Sequence, residues 1–159
     1  ACTLSHEKWR LRGEWIEAAH FRDVCPGQWK WTNFRPAEFA CRGEPEQGSV
    51  KIAVALLDKL QALRDVVGRP MVVTSGYRSP GYNRTLPGAA AHSLHVQGIA
   101  VDISMGNFLS EEAEFHRQAK RIGFTGFGFY PEYRNIFMHL DLGPPRWWGD
   151  PKPWSIAPL

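Results

Sequence analysis

The side chains best placed to do chemistry together are His95 and Asp102, seven positions apart, and His139 with Asp141, two apart. Through Gly98-Ile99-Ala100-Val101-Asp102-Ile103 the apolar alternation reads as a loop entering a strand. A carboxylate late in an apolar strand costs several kcal/mol unless a cation meets it, and a metal ion is one answer. The run from Ile136 to Leu142 is a second short strand, and alternation puts His139 and Asp141 on one face of it. Two imidazoles and a carboxylate, His95, Asp102 and His139, make a three-ligand zinc set that leaves the fourth position to water, the arrangement of catalytic zinc. Each has a plainer use when taken singly. A histidine beside a strand is often a satisfied core or surface residue, and an aspartate there often caps the next turn.

The spacing Ser93-x-His95-x-x-Gly98-x-Ala100-x-Asp102 resembles the S-x-H-x-x-G-x-A-x-D signature of zinc D-alanyl-D-alanine peptidases, relatives of the hedgehog signalling domain. Upstream, Ser75-Gly76-Tyr77-Arg78-Ser79 resembles their S-G-[YF]-R-S segment. Downstream, Gly126-x-Gly128-x-Tyr130-Pro131 and Phe137-x-His139-x-Asp141 resemble their closing elements. The likeness runs from Phe34 to Trp148, and three ordered motifs are far harder to obtain by chance than one.

The resemblance implies an α+β fold with a small, mostly antiparallel sheet flanked by helices. It also implies one Zn2+ on His95, Asp102 and His139, and hydrolysis of peptide bonds in peptidoglycan. Such a zinc ion lowers the pKa of its bound water toward ~7 and polarises the scissile carbonyl. Family members include D,D-carboxypeptidases and endopeptidases of stem peptides or cross-links, and sequence does not separate the two. By resemblance Arg78 binds substrate and stabilises developing charge, Ser93 hydrogen-bonds the substrate backbone, and Tyr130 lies on the substrate side. The plainer uses are an internal salt bridge for Arg78 and a loop cap for Ser93.

The chain departs from its relatives at one point. Several carry Glu or Asp three residues before the last histidine ligand, where this chain has Ile136, so the general base is not inherited. Asp141 is the first candidate, and its rival role is to orient a ligand imidazole by accepting the remaining N–H. His92 and Glu132 are further candidates. Hedgehog relatives keep the metal while acting as ligands, so an inactive zinc-stabilised binding module stands as the alternative, beside a bacteriophage structural component.

The elements that must hold these residues follow from periodicity. Ser49 to Val67 reads as one helix, capped by Ser49, with an apolar stripe through Leu56, Leu60 and Leu63 and a stop at Gly68. Met71 to Thr74 is a strand delivering Arg78, and residues 82–91 form a loop. A second helix starts at Ser110, bears His116 on its surface and ends before Gly123. Phe124–Tyr130 and Ile136–Leu142 form a hairpin, and 143–148 is irregular. Trp9, Trp15, Ile16, Ala19 and Phe21 recur at roughly helical intervals, so residues 1–32 read as a helical, aromatic extension and 33–159 as the peptidase domain.

At 159 residues the chain suits one domain with a proper core. No apolar run reaches membrane-spanning length, and no secretory signal is visible. Net charge is +3, with basic residues dispersed and no block that reads as a nucleic-acid arm. The resemblance implies stem peptides of peptidoglycan as partners, with a phage or envelope protein at the N-terminal segment as a second expectation. Compact bacteriophage relatives imply a lytic or virion-associated place, or the periplasm and cell wall. Cys2, Cys25 and Cys41 contain no CxxC pair; Cys2 with Cys25 is a possible bridge, and Cys41 reads as a small buried hydrophobe.

Overall fold

A computed structural model describes residues 5–7, 13–131 and 134–149. The fold is α+β, as expected, but it has two sheets. Strands β1 (Ser5–Glu7), β2 (Gly13–Ala18) and β3 (Val50–Ala53) form an antiparallel three-stranded sheet in that order. The second sheet contains β4 (Val73–Ser75), β5 (Ala100–Ser104), β6 (Gly126–Tyr130), β7 (Phe137–Asp141) and β8 (Arg146–Gly149). Its order is β4-β5-β7-β6-β8, antiparallel except for the parallel β6–β8 pair. Helices α1 (Val54–Val67) and α3 (Glu112–Ile122) pack on each other, and the short α2 (Pro80–Thr85) follows β4. Among the described residues, no helix is long and apolar enough to cross a membrane.

Period 2 gives the larger sheet two different faces. Val101, Ile103, Phe127, Phe129, Met138 and Leu140 point into a core closed by Leu56, Leu57, Leu60 and Leu63 of α1 and Phe115 of α3. Each fully buried leucine is worth about 1.5–3 kcal/mol of apolar burial. The alternate residues, including Asp102, His139, Asp141, Arg146 and Trp148, share the opposite face.

Several sequence expectations are corrected. Among the described residues the helix expected in the N-terminal extension is absent: residues 13–18 are strand β2, paired with β3 from Trp15↔Ala53 to Ala18↔Val50. Trp15 and Ile16 are both buried in the common core, and the Trp31 indole N–H donates to Asp58 on α1 at 2.9 Å. Spaced aromatics mimic a helical stripe, but a sheet partner far along the chain satisfies the same backbone groups. Trp9 lies outside the described residues.

The first turn of the expected 49–67 helix is strand β3, because Val50-Lys51-Ile52 is β-branched at alternate positions and β2 lies beside it. Ser49 instead donates its hydroxyl to the Glu46 carbonyl at 2.6 Å. The stop is as expected, with Gly68 in the left-handed conformation at φ 66°. The loop expected at 82–91 begins inside α2, whose N-cap Ser79 accepts the Tyr82 N–H at 3.2 Å. The second helix is preceded by a 3-10 turn, Leu109–Glu111, and Ser110 makes no cap. The irregular tail holds strand β8, for which β6 is the template. Cys25 is disulfide-bonded and Cys41 is a free buried thiol; Cys2 lies outside the described residues.

His116 is the last correction. It is 6% exposed, edge-on to Phe127 with ring centroids 4.3 Å apart, not a surface residue. Burial, helped by Lys120 and Arg117, pushes its pKa down to about 4. The unfolded chain binds this proton near pH 6.5 and the folded one only near pH 4, so stability from the neutral ring is full above about pH 6.5 and declines as pH falls toward 4. Urea unfolding across that window is expected to lose about 2–3 kcal/mol on this account. His116→Leu should flatten the slope there, and an unchanged slope would refute the assignment.

Candidate metal centre

Strand register assembles the site in rows. Across the sheet, Ser75 pairs with Asp102, Asp102 with His139, His139 with Gly128, and Gly128 with Trp148. One step along the same face, Ala100 pairs with Asp141, Asp141 with Gly126, and Gly126 with Arg146. One step the other way, Ser104 pairs with Phe137 and Phe137 with Tyr130. Directly opposed residues on a pleated sheet put their Cβ atoms about 5 Å apart, so the rows bring Asp102 and His139 together without help from a loop. The two glycines of β6 leave room above them: a Cβ on Gly128 would strike the Trp148 indole, and one on Gly126 would strike the Asp141 carboxylate.

His95 is the one candidate ligand delivered from outside the sheet. Its turn is set by Ser93, whose Oγ accepts the His95 N–H at 3.2 Å, and by the Gly98 N–H donating to the His95 carbonyl at 3.2 Å. The ring is 3% exposed, and Nδ1–H donates to the Gly76 carbonyl at 2.8 Å. That fixes the tautomer and turns the Nε2 lone pair toward Asp102. On the other side, His139 Nε2–H donates to Asp141 Oδ2 at 2.7 Å, which leaves the Nδ1 lone pair facing the same point.

Three ligand atoms therefore converge. His139 Nδ1 lies 3.0 Å and His95 Nε2 3.2 Å from Asp102 Oδ1, and the two nitrogens are 3.2 Å apart. Bonds of about 2.0–2.2 Å in a tetrahedral zinc site set ligand atoms roughly 3.3–3.5 Å apart, so the spacing fits one small ion. Three lone pairs aimed at one buried point repel unless a cation stands among them. Burial works against charge on Asp102, but the His95 and His139 rings outweigh it and hold the carboxyl well below its usual range. Burial likewise opposes charge on His139, and the carboxylates of Asp102 and Asp141 outweigh it and raise the imidazole pKa. His95, Asp102 and His139, all buried, form a cluster able to hold a metal ion, as the sequence expected.

The cluster lies at a cleft of about 530 Å³, with Leu86 to Ala90 on one wall and Tyr130, Phe137 and Trp148 on another. Arg78 lines it, its Nη2 3.5 Å from Asp102 Oδ2 and its Nε donating to Ser75 Oγ at 3.3 Å, so the internal ion pair and the cleft position coexist. His92 is exposed on the wall and Ser93 lines it too. Tyr130 stacks on Phe137 at 4.5 Å and accepts the Trp148 indole N–H at 2.6 Å. Asp141 has no exposed surface and is held by His139, by Arg146 and by the Gly143 N–H at 2.8 Å. Burial alone would raise its pKa, but His139, Arg146 and Gly143 together bring it down to about 2. Ile136 packs against the core, and Glu132 lies outside the described residues.

Sequence reading missed Arg146 and Trp148. Their signal was the alternation in Arg146-Trp147-Trp148, which leaves Trp147 56% exposed on the other face. It was hidden because the strand is short and follows two prolines.

A family model described as Peptidase M15 matches residues 32–141, more than half of the chain. Over 99 residues the chain is 34% identical to the peptidoglycan L,D-endopeptidase MepK of Escherichia coli K12, covering 58% of this chain and 52% of that protein. Over 130 residues it is 33% identical to the zinc D-Ala-D-Ala carboxypeptidase of Streptomyces albus G, covering 75% and 49%. A probable MepK of Haemophilus influenzae is 34% identical over 80 residues, 48% and 41% of the two chains. The chain thus spans about half the length of the curated relatives it matches. With the motifs between residues 75 and 141 all inside the matched segment, this chain belongs to the peptidase M15 family.

Proposed function

We propose that this chain is a zinc-dependent peptidase that hydrolyses peptide bonds of peptidoglycan in the periplasm or cell wall. The observation that carries the reading is the convergence of His95 Nε2, Asp102 Oδ1 and His139 Nδ1 at the cleft. Zinc bound there supplies a Lewis acid that polarises the scissile carbonyl and activates a water.

The chain's own residues do the rest. Arg78 presents a planar, always-charged fork beside the metal position, suited to a substrate carboxylate or to the oxygen on which charge develops. Ser93 and Tyr130 border the cleft where a stem peptide would lie, and the aromatic wall of Phe137 and Trp148 limits water on that side. Asp141 orients His139 and does not move the proton: it is fully buried and its oxygens are committed to His139, Arg146 and Gly143. With Ile136 apolar, the remaining imidazole or carboxylate on the described cleft wall outside the ligand set is His92. An imidazole there can take a proton from water and return it to the leaving amine.

The test is mass spectrometry of defined muropeptides incubated with metal-loaded protein and with a chelated control. New termini that vanish with chelator support the reading, and their identity separates carboxypeptidase from endopeptidase. His92→Ala is expected to lower kcat about 100-fold with metal content unchanged, the typical share of a general base. One observation favours a second reading, the binding module: no carboxylate besides Asp102 is on the described cleft wall. Full metal occupancy with no cleavage of any muropeptide would establish that module instead.

A further inference from the structure

Arg146 stands beyond the last residue the family model covers, yet it pairs with Asp141, the carboxylate that holds His139. Its strand, β8, is not a neighbour of β7, because β6 lies between them. Two strand spacings amount to about 9–10 Å, which an arginine can span only if nothing stands on the strand between. What stands there is Gly126, paired with Asp141 on one side and with Arg146 on the other. A Cβ at Gly126 would collide with both the Asp141 carboxylate and Arg146 Nη1.

Across that gap Arg146 makes a bidentate pair, Nη1 to Asp141 Oδ1 at 2.9 Å and Nη2 to Oδ2 at 2.7 Å. Nη1 also donates to the Pro144 carbonyl at 2.8 Å, and the guanidinium carbon sits 5.1 Å from the centre of the Trp148 ring. Trp148 is itself 5.0 Å from the His139 ring and is held by Tyr130. The fork is thus immobilised by a carbonyl, an aromatic face and a carboxylate, and the carboxylate in turn grips His139 Nε2. A bidentate guanidinium fixes the plane of a carboxylate, and the plane of Asp141 fixes the rotation of the imidazole whose other nitrogen faces the ion position.

We propose that Arg146 is a positioning residue of the metal centre, acting across Gly126 through Asp141 to aim His139 Nδ1, so that β8 is part of the metal site. The inference rests on the metal reading above, but it is measured by zinc affinity and does not need a substrate. A protein that takes up zinc and cleaves nothing would sink the peptidase reading and still judge this one.

The experiment is competition between full-length protein and a chromophoric chelator for zinc. Arg146→Met is expected to weaken zinc binding about 10–100-fold, the usual effect of losing a partner of a metal ligand, and Arg146→Lys less, since it keeps the charge but not the fork. Asp141→Asn should show a comparable loss, and adding Arg146→Met to it should cost nothing more. Gly126→Ala, which leaves every polar group in place, should reproduce the Arg146→Met loss. Circular dichroism of the metal-free proteins identifies any variant that fails to fold; Arg146→Lys, the mildest change, then carries the comparison. Unchanged zinc affinity in Arg146→Met or Arg146→Lys with a higher KM would overturn the proposal and make Arg146 a substrate contact. Additive losses in the double variant would overturn the route through Asp141.

Discussion

Asp102→Asn is expected to abolish tight zinc binding and to lower kcat/KM on muropeptides by about a thousandfold or more. The substitution is nearly isosteric, so its effect is electrostatic. It removes the one negative charge that balances a dication between His95 Nε2 and His139 Nδ1, each within 3.2 Å. It also leaves the Arg78 guanidinium, 3.5 Å away, without its counter-charge. Losing several kcal/mol of metal-derived transition-state stabilisation corresponds to roughly three decades in rate. The checks are elemental analysis of the purified variant and the muropeptide assay. A third reading comes from thermal unfolding: an ion that binds only the folded state adds about 4 kcal/mol at a thousand times its Kd. The parent protein should therefore melt higher with added zinc, and Asp102→Asn should not. A variant that keeps stoichiometric zinc and full activity would remove Asp102 from the ligand set.

Gly98→Ala is expected to destabilise the fold by about 3 kcal/mol or more, against about 1–2 kcal/mol for Gly68→Ala. Both glycines have positive φ, 75° and 66°, so the conformational penalty is shared. They differ in what a methyl group meets. At Gly68 nothing lies within 4 Å, whereas at Gly98 a Cβ runs into the Lys51 carbonyl oxygen and comes within 2.8 Å of the Trp15 ring. Neither can yield cheaply. Lys51 is paired to Glu17 in the first sheet, Trp15 is 3% exposed, and the Ala53 N–H donates to the Gly98 carbonyl at 2.9 Å. Because the same turn carries His95, the alanine should weaken zinc binding as well as lower the urea midpoint. Equal costs at the two positions would show that backbone conformation alone governs, and that the contact between the first sheet and the metal loop is slack.

That contact also marks where local reading of the chain stops. The strands β5, β6 and β7 were legible because each sets apolar side chains on one face and mostly polar or small ones on the other, and period 2 survives in five residues. The helix stop at Gly68 was legible because only glycine takes a left-handed conformation without cost. The start of the same helix was not, since Val50 to Ala53 suits either a helical stripe or a strand. The choice fell to β2, more than thirty residues earlier. His116 looked like a surface group on a charged helix, and only the packing of α3 against Phe127 buries it.

By itself the sequence determined the candidate ligand types, their motif spacing and the family, because those are properties of short stretches with fixed local geometry. Tertiary structure decided which atoms face one another at the candidate site. His139 aims Nδ1 and gives Nε2 to Asp141 because Asp141 and Arg146 face one another across Gly126, a relation set by register over three strands. The orienting role proposed for Asp141 has the same origin: its Arg146 partner comes from β8, whose place in the sheet no local pattern encodes. Cross-strand neighbours are long-range in sequence, so their chemistry exists only once the sheet has closed.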